Sequence, residues 1–234
     1  MVSGSTPLRS ASSPTKSLAA PHAWQPWVVV ELFTAQGCQA CGAANDFVGE
    51  LADRKGVLPL TFSVDYWDYT GWSDTFAKAE FAERQRAYVH KLELDEPYTP
   101  QVVVDGRRQA PGVQTERVER LIREAAQAPR NPPDILFIGE RRVDVGSGRP
   151  PKGGAEVWLV RYDPREQLVE VKAGDNRGKR VGHRNVVREI VRLGAWRGRP
   201  TAYRIRTRAE EGLKTVLLVQ GAEGGRIIAV AEQP

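Results

Sequence analysis

Only two cysteines occur in the 234 residues, Cys38 and Cys41, so no framework of disulfides holds this fold together. Histidine is scarce as well: His22, His90 and His183 are scattered. With no second cysteine pair and no paired histidines, a zinc centre lacks its remaining ligands, and no metal site is expected. No apolar run approaches the roughly 20 residues of a membrane span, so none is expected. No Gly-x-Ser-x-Gly elbow offers a serine nucleophile. The stretch from Gly146 to Gly154 is rich in glycine but lacks the Gly-Lys-Ser/Thr ending of a phosphate loop, and it reads as a linker. The N-terminus lacks the charged head and apolar centre of a signal peptide, which makes the cytoplasm the default expectation. Residues 1–26 hold little to bury and read as a disordered tail.

What is present suffices for a core: 41% of residues are hydrophobic. The net charge of +5 is unevenly spread, since residues 1–130 carry 14 Lys and Arg against 16 Asp and Glu, and residues 131–234 carry 20 against 13. A basic C-terminal region attracts nucleic acid, anionic lipid or an acidic partner when its charges form blocks. Here they alternate with apolar residues, so a solvated basic sheet face is expected and no nucleic-acid partner.

One stretch organises the rest. Val28 to Phe33 is rich in β-branched and aromatic residues, with Pro26 before it and Gly37 after it, and is expected as a buried strand. From Ala40 to Ala52 apolar residues recur at helical spacing, so the Cys-x-x-Cys pair straddles a strand-to-helix junction. The first turn of a helix leaves N–H groups unpaired and carries the positive end of its dipole. A thiolate at Cys38 is stabilised there, and Cys41 is placed to resolve whatever it captures. Redox use, a static disulfide and half of a metal site all fit such a pair, and the junction favours the first. That reading needs the Cys38 sulfur to reach solvent.

Farther along, Val57 to Asp65 reads as a second strand, parallel to the first through a right-handed crossover. The aromatic stretch Asp65-Tyr66-Trp67-Asp68-Tyr69-Thr70-Gly71-Trp72 either walls a substrate groove or packs beneath the next helix. That helix spans residues 75–92, and His90 within it reads as a surface or packing residue, not a ligand. Pro100 opens a strand through Val104, with a cis Thr99-Pro100 bond open. Asp105-Gly106 then turns the chain into a hairpin partner from Arg108 to Gly112. Thr115 is expected to cap a helix through Ala126. Beyond Arg130-Asn131-Pro132-Pro133, short alternating runs suggest an antiparallel sandwich or small barrel over residues 131–234, with Asn185 to Leu193 either strand or helix.

The order strand, Cys-x-x-Cys, helix, strand, helix, Thr-Pro, strand, Asp-Gly, strand, helix resembles the thioredoxin fold. The fold class expected is therefore α/β: a thioredoxin-like domain over residues 27–130, followed by a basic β-rich domain over residues 131–234. Glu31-Leu32-Phe33-Thr34, Gln36-Gly37-Cys38, Val64 to Tyr69, Glu83 to Tyr88 and Tyr98 to Gln101 resemble a bacterial family catalogued as domain of unknown function 1223. Asp175-Asn176-Arg177-Gly178 and Asn185-Val186-Val187-Arg188 continue that resemblance. It implies Cys38 as attacking thiol, Cys41 as resolving thiol and Pro100 as a cis-proline beside them. Thr99 would offer its backbone to substrate, with Tyr66 and Trp67 walling the groove. Glu31 resembles the buried acid of thioredoxins: facing inward it is a candidate base, facing outward a surface carboxylate. The implied activity is thiol-disulfide exchange on protein or small-molecule thiols, without a cofactor; the alternative is a binding module with a static disulfide. The β region would hold a partner or form a homodimer. The family resemblance also opens export to the periplasm. Gln39-Ala40 between the cysteines and Gly42-Ala43 after them depart from that family, and leave the direction of the redox reaction open.

Overall fold

The computed structural model describes Met1 and residues 27–234. The tail expected over residues 1–26 lies, apart from Met1, outside the described residues.

Strands β1 (Val28–Thr34) and β2 (Val57–Ser63) run parallel, in register from Val28 opposite Val57, with helix α1 (Cys41–Glu50) crossing between them. A loop with one 3₁₀ turn at Asp68–Thr70 leads into α2 (Ala79–Lys91). Strands β3 (Gln101–Val104) and β4 (Arg108–Pro111) form a hairpin whose first strand pairs antiparallel with β1, and α3 (Thr115–Gln127) follows. The expected element order is thus observed from β1 to α3. Asp105 and Gly106 both have positive φ, 49° and 61°, in the three-residue turn that leaves Val104 opposite Arg108. Thr115 is the first residue of α3 and Gln114 stands at the cap, with no side-chain hydrogen bond there. The first helical bond already runs from Val118 N to Gln114 O, so the expected Thr115 cap does not form.

Strand β1 is buried on both faces, which is why it reads as one apolar run. Val28, Val30 and Leu32 pack against Ala44 and Val48 of α1 and against Val118 and Ile122 of α3. Val29 and Phe33 pack on the other face with Phe62, Phe81 and Tyr88.

The C-terminal strands are β5 (Ile135–Ile138), β6 (Arg142–Val145), β7 (Ala155–Asp163), β8 (Gln167–Glu170), β9 (Arg180–His183), β10 (Val186–Trp196), β11 (Thr201–Arg204), β12 (Lys214–Gly221) and β13 (Ile227–Glu232). Four of them extend the first sheet, giving eight strands in the order β13-β12-β7-β10-β2-β1-β3-β4. The three-stranded sheet β11-β6-β5 packs on it through Val143, Val145 and Tyr203 against Leu159, Trp196, Leu217 and Val219, in the manner of a sandwich. The chain is therefore mixed α/β, with one large mixed sheet and smaller antiparallel ones. A boundary at residue 130 falls between α3 and β5, and the large sheet continues across it.

The seam is one parallel pairing, Val186 of β10 with Thr61 of β2. Asn185 builds it: at φ 51° it turns the chain into β10, its carbonyl accepts from Thr61 N at 3.0 Å, and its Nδ2 donates to Pro59 O at 2.8 Å. Proline lacks the N–H that a full ladder would need, and β10 meets β2 only beyond Pro59. The stretch from Asn185 to Leu193, read as strand or helix, is strand from Val186 on, with register shifts near Arg188 and Leu193. Among the described residues no helix is long and apolar enough to cross a membrane.

Candidate active site

Strand β1 ends at Thr34, and Ala35-Gln36-Gly37 delivers Cys38 to the start of α1, whose first residue is Cys41. The two cysteines are joined as a disulfide, with Cα atoms 5.4 Å apart. No side chain caps α1 and no acidic residue sits in its first turn, so the positive end of its dipole is left to the cysteine turn.

The pair is nevertheless covered. Cys38 is 2% exposed and Cys41 fully buried, which corrects the expectation of a sulfur open to solvent. Two segments close over it. From one side comes the aromatic loop: a Cβ on Gly37 would lie 3.1 Å from Thr70 Oγ1 and 3.6 Å from Trp67 Cβ, so only glycine passes freely beneath. From the other comes the connection between β8 and β9, where Asn176 Nδ2 donates to Gln36 O at 2.8 Å and to Cys38 O at 2.9 Å. The two segments meet at Gly174, whose Cβ would fall 2.9 Å from Thr70 Oγ1. Gln39 and Ala40, between the cysteines, remain exposed.

Gln36 ties this turn down. Its N–H donates to Asp74 Oδ2 at 2.7 Å, and its Oε1 accepts from Trp72 Nε1 at 2.8 Å and Thr75 Oγ1 at 2.9 Å. Burial raises the Asp74 carboxyl, against the hydrogen bonds it receives from the Gln36 and Phe76 N–H groups. Asn45 of α1 accepts from Thr34 Oγ1 at 2.6 Å and donates to Gly182 O of β9 at 3.1 Å, a second tie between the two halves.

Trp67 lies against Gly37 of the cysteine turn, and its indole reaches Thr99. The Thr99-Pro100 peptide is cis. Pro100 is buried, and Gly112 is wedged between it and α1: a Cβ there would lie 2.9 Å from Ala44 Cβ and 3.0 Å from Pro100 Cβ. Trp67 Nε1 donates to Thr99 Oγ1 at 2.7 Å. Tyr66 donates to Gln85 Oε1 at 3.1 Å, and burial pushes its hydroxyl up to about 12. Of the aromatic stretch, Tyr66 and Trp67 pack on the core, while Tyr69, stacked on Trp67, is 82% exposed.

Glu31 faces inward, fully buried, and meets different neighbours. One oxygen accepts from Arg84 Nε at 2.6 Å and the other from the Tyr88 hydroxyl, both on α2. Gln220 of β12 donates to Tyr88 Oη at 2.9 Å, closing the network. Burial works against the Arg84 charge, but the Glu31 carboxylate beside it outweighs burial and holds the guanidinium above its usual range. Burial likewise raises Tyr88, which stays a neutral donor to the carboxylate. This geometry makes Glu31 the partner of a buried cation.

Among the described residues no group of three or more His, Cys, Asp or Glu is placed to hold a metal ion. His90 is exposed, and His183 is buried edge-on against Phe76. Sequence reasoning missed Gln36, Asp74 and Asn176 as members of the site. Asn176 lay in a stretch that carried the family resemblance, but nothing local tied it to a cysteine 138 positions away.

A family model described as "Protein of unknown function (DUF1223)" matches residues 29–220. Among solved structures, the chain is similar to protein AGR_C_4864 from Agrobacterium tumefaciens, with 29% identity and a TM-score of 0.70 over 91% of this chain and 95% of that one. It is also similar to HBP35 of Porphyromonas gingivalis, with 13% identity and a TM-score of 0.59 over 90% of this chain and 76% of that one, a likeness of fold alone. Comparison with curated proteins finds no match.

Proposed function

The chain belongs to the DUF1223 family, and we propose that it carries out thiol-disulfide exchange on protein or small-molecule thiols. The observation that carries this reading is a cysteine pair of sequence separation 3 closed into a disulfide at the uncapped mouth of α1. In the oxidised form a substrate thiolate attacks Cys38 Sγ, forming a mixed disulfide and expelling Cys41 as a thiolate. A second substrate thiolate then attacks the substrate's own sulfur, releasing Cys38 as a thiolate beside the helix dipole. Two electrons pass to the protein and the substrate leaves as a disulfide; in reverse, Cys38 attacks and Cys41 resolves. These steps need no cofactor. Thr99 offers backbone to an extended substrate, Pro100 flanks the pair, and Tyr66 and Trp67 wall the groove. Glu31 enters as a positioning residue, through the packing of α2 on β1. With Cys38 covered, exchange requires the segment bearing Asn176 to lift.

A specific observation favours a second reading. The 2% exposure of Cys38 suits a static disulfide in a binding module. Titration of the folded protein against glutathione buffers, with alkylation of the reduced form, separates the two. A potential within reach of cellular thiol buffers, with Cys38 alkylated first, supports exchange. A disulfide that is reduced only after the protein unfolds supports the static module.

A further inference from the structure

At the end of β1 remote from the cysteines, the two halves of the chain line a half-open cavity of about 440 Å³. Asp105 marks the place, since it exchanges hydrogen bonds with Val29, its N–H to Val29 O at 2.8 Å and its Oδ1 from Val29 N at 2.9 Å. Around it stand Arg107, Arg130, Arg149, Lys152 and Arg226, five cations against the one carboxylate. Arg130 is fixed: it pairs with Asp105 and donates to Trp27 O at 2.9 Å and Ala125 O at 3.1 Å. Its charge is thereby satisfied. The other four cations make no ion pair with a carboxylate among the described residues. Residues 2–26 hold no Asp or Glu, so that segment has no carboxylate with which to cancel them.

We propose that this cavity binds a phosphate-bearing small molecule. Like charges brought together around a recess repel one another, and that cost is recovered when an anion enters. Guanidinium groups present paired donors that match phosphate oxygens, and three of the four free cations are arginines. The recess has the volume of a small-molecule site, and Pro150 and Ile227 supply an apolar wall for an organic part. The basic C-terminal half, expected to present a solvated face, here places part of that exposed charge around one recess, beside Arg107 from the hairpin turn of the other half.

Calorimetric titration of the full chain with pyrophosphate and with adenosine diphosphate, at constant ionic strength, tests this. Saturable binding is expected, weakened about tenfold by Arg149→Ala and by Arg226→Ala through loss of a charge-assisted contact. Arg204→Ala, which removes an equal charge from an exposed position outside the cavity, should leave it unchanged. Equal affinity for both probes assigns the site to the free oxyanion, and tighter binding of the nucleotide assigns it to an organic ester. Absence of saturable binding, an equal loss in Arg204→Ala, or binding confined to heparin or duplex DNA would each overturn the proposal.

Discussion

Asn176 and Cys38, 138 positions apart in sequence, are joined by a hydrogen bond of 2.9 Å from the side-chain amide of one to the carbonyl of the other. The same amide reaches Gln36 O, so one side chain from the C-terminal half pins both ends of the turn that presents the disulfide.

Removing that amide should uncover the cysteines. Asn176→Ala forfeits two hydrogen bonds to buried carbonyls, a loss of about 1–3 kcal/mol, and reduction of the disulfide by dithiothreitol should quicken about tenfold. Asn176→Asp, which cannot donate and sets a charge against two carbonyls, should act in the same direction. Unchanged reduction kinetics in both variants would show that the lid does not control access.

Glu31 should matter for folding and not for proton transfer. Glu31→Ala leaves Arg84 buried without its partner, at a cost of about 3–5 kcal/mol in chemical denaturation. The double variant Glu31→Leu with Arg84→Met should recover much of that loss. The pH profile of thiol reactivity should stay as in the wild type; a displaced profile in Glu31→Gln, with stability retained, would restore the carboxylate as a base.

Reduction should leave the protein folded. A bridge between residues three apart closes a very short loop, so its loss costs about 2 kcal/mol on the chain-entropy account. Cys41→Ser should therefore melt only a few degrees lower and accumulate mixed disulfides at Cys38 when offered substrate. Collapse of the fold on reduction would mark the bridge as structural.

Acid should weaken the protein through His183. Burial lowers this imidazole from 6.5 to about 4, so as pH falls the unfolded chain takes up the proton first. The stability linked to it is complete above 6.5 and drains away between 6.5 and about 4, reaching about 3 kcal/mol on the scale of 1.36 kcal/mol per pH unit. Asp74 and Asp105, raised by burial, act in the opposite sense above 3.8, which makes the difference between wild type and variant the quantity to follow. His183→Gln should flatten the wild-type decline over that window in denaturation curves collected at several pH values.

The elements from β1 to α3 were legible because each announces itself locally: β-branched runs, a helical period after Cys41, Asp105-Gly106 at the hairpin. The strand β9 was not, since Arg180-Val181-Gly182-His183 has a single strong apolar residue and no alternation. Nor was the joining of the two halves, because Asn185 works through a backbone conformation and through bonds to Pro59 and Thr61 more than 120 residues away. The candidate site divides the same way. Cys38 and Cys41 follow from pattern and Thr99 and Pro100 were proposed from the family resemblance, whereas the cover over Cys38 depends on side chains from distant loops. For Glu31 the inward and outward alternatives both stood open, and it faces inward; its engagement by Arg84 and Tyr88 was out of reach, because a strand residue and a helix residue meet only in the folded sheet.

Strand β2 lies against β10 at Thr61, and so it is an interior strand only while the C-terminal half is attached. A fragment ending after α3 would present β2 as a naked flank of Leu58, Leu60 and Phe62, with unpaired peptide groups ready to recruit another chain. The later residues thus serve the earlier ones as a guard against self-association, whatever ligand they hold.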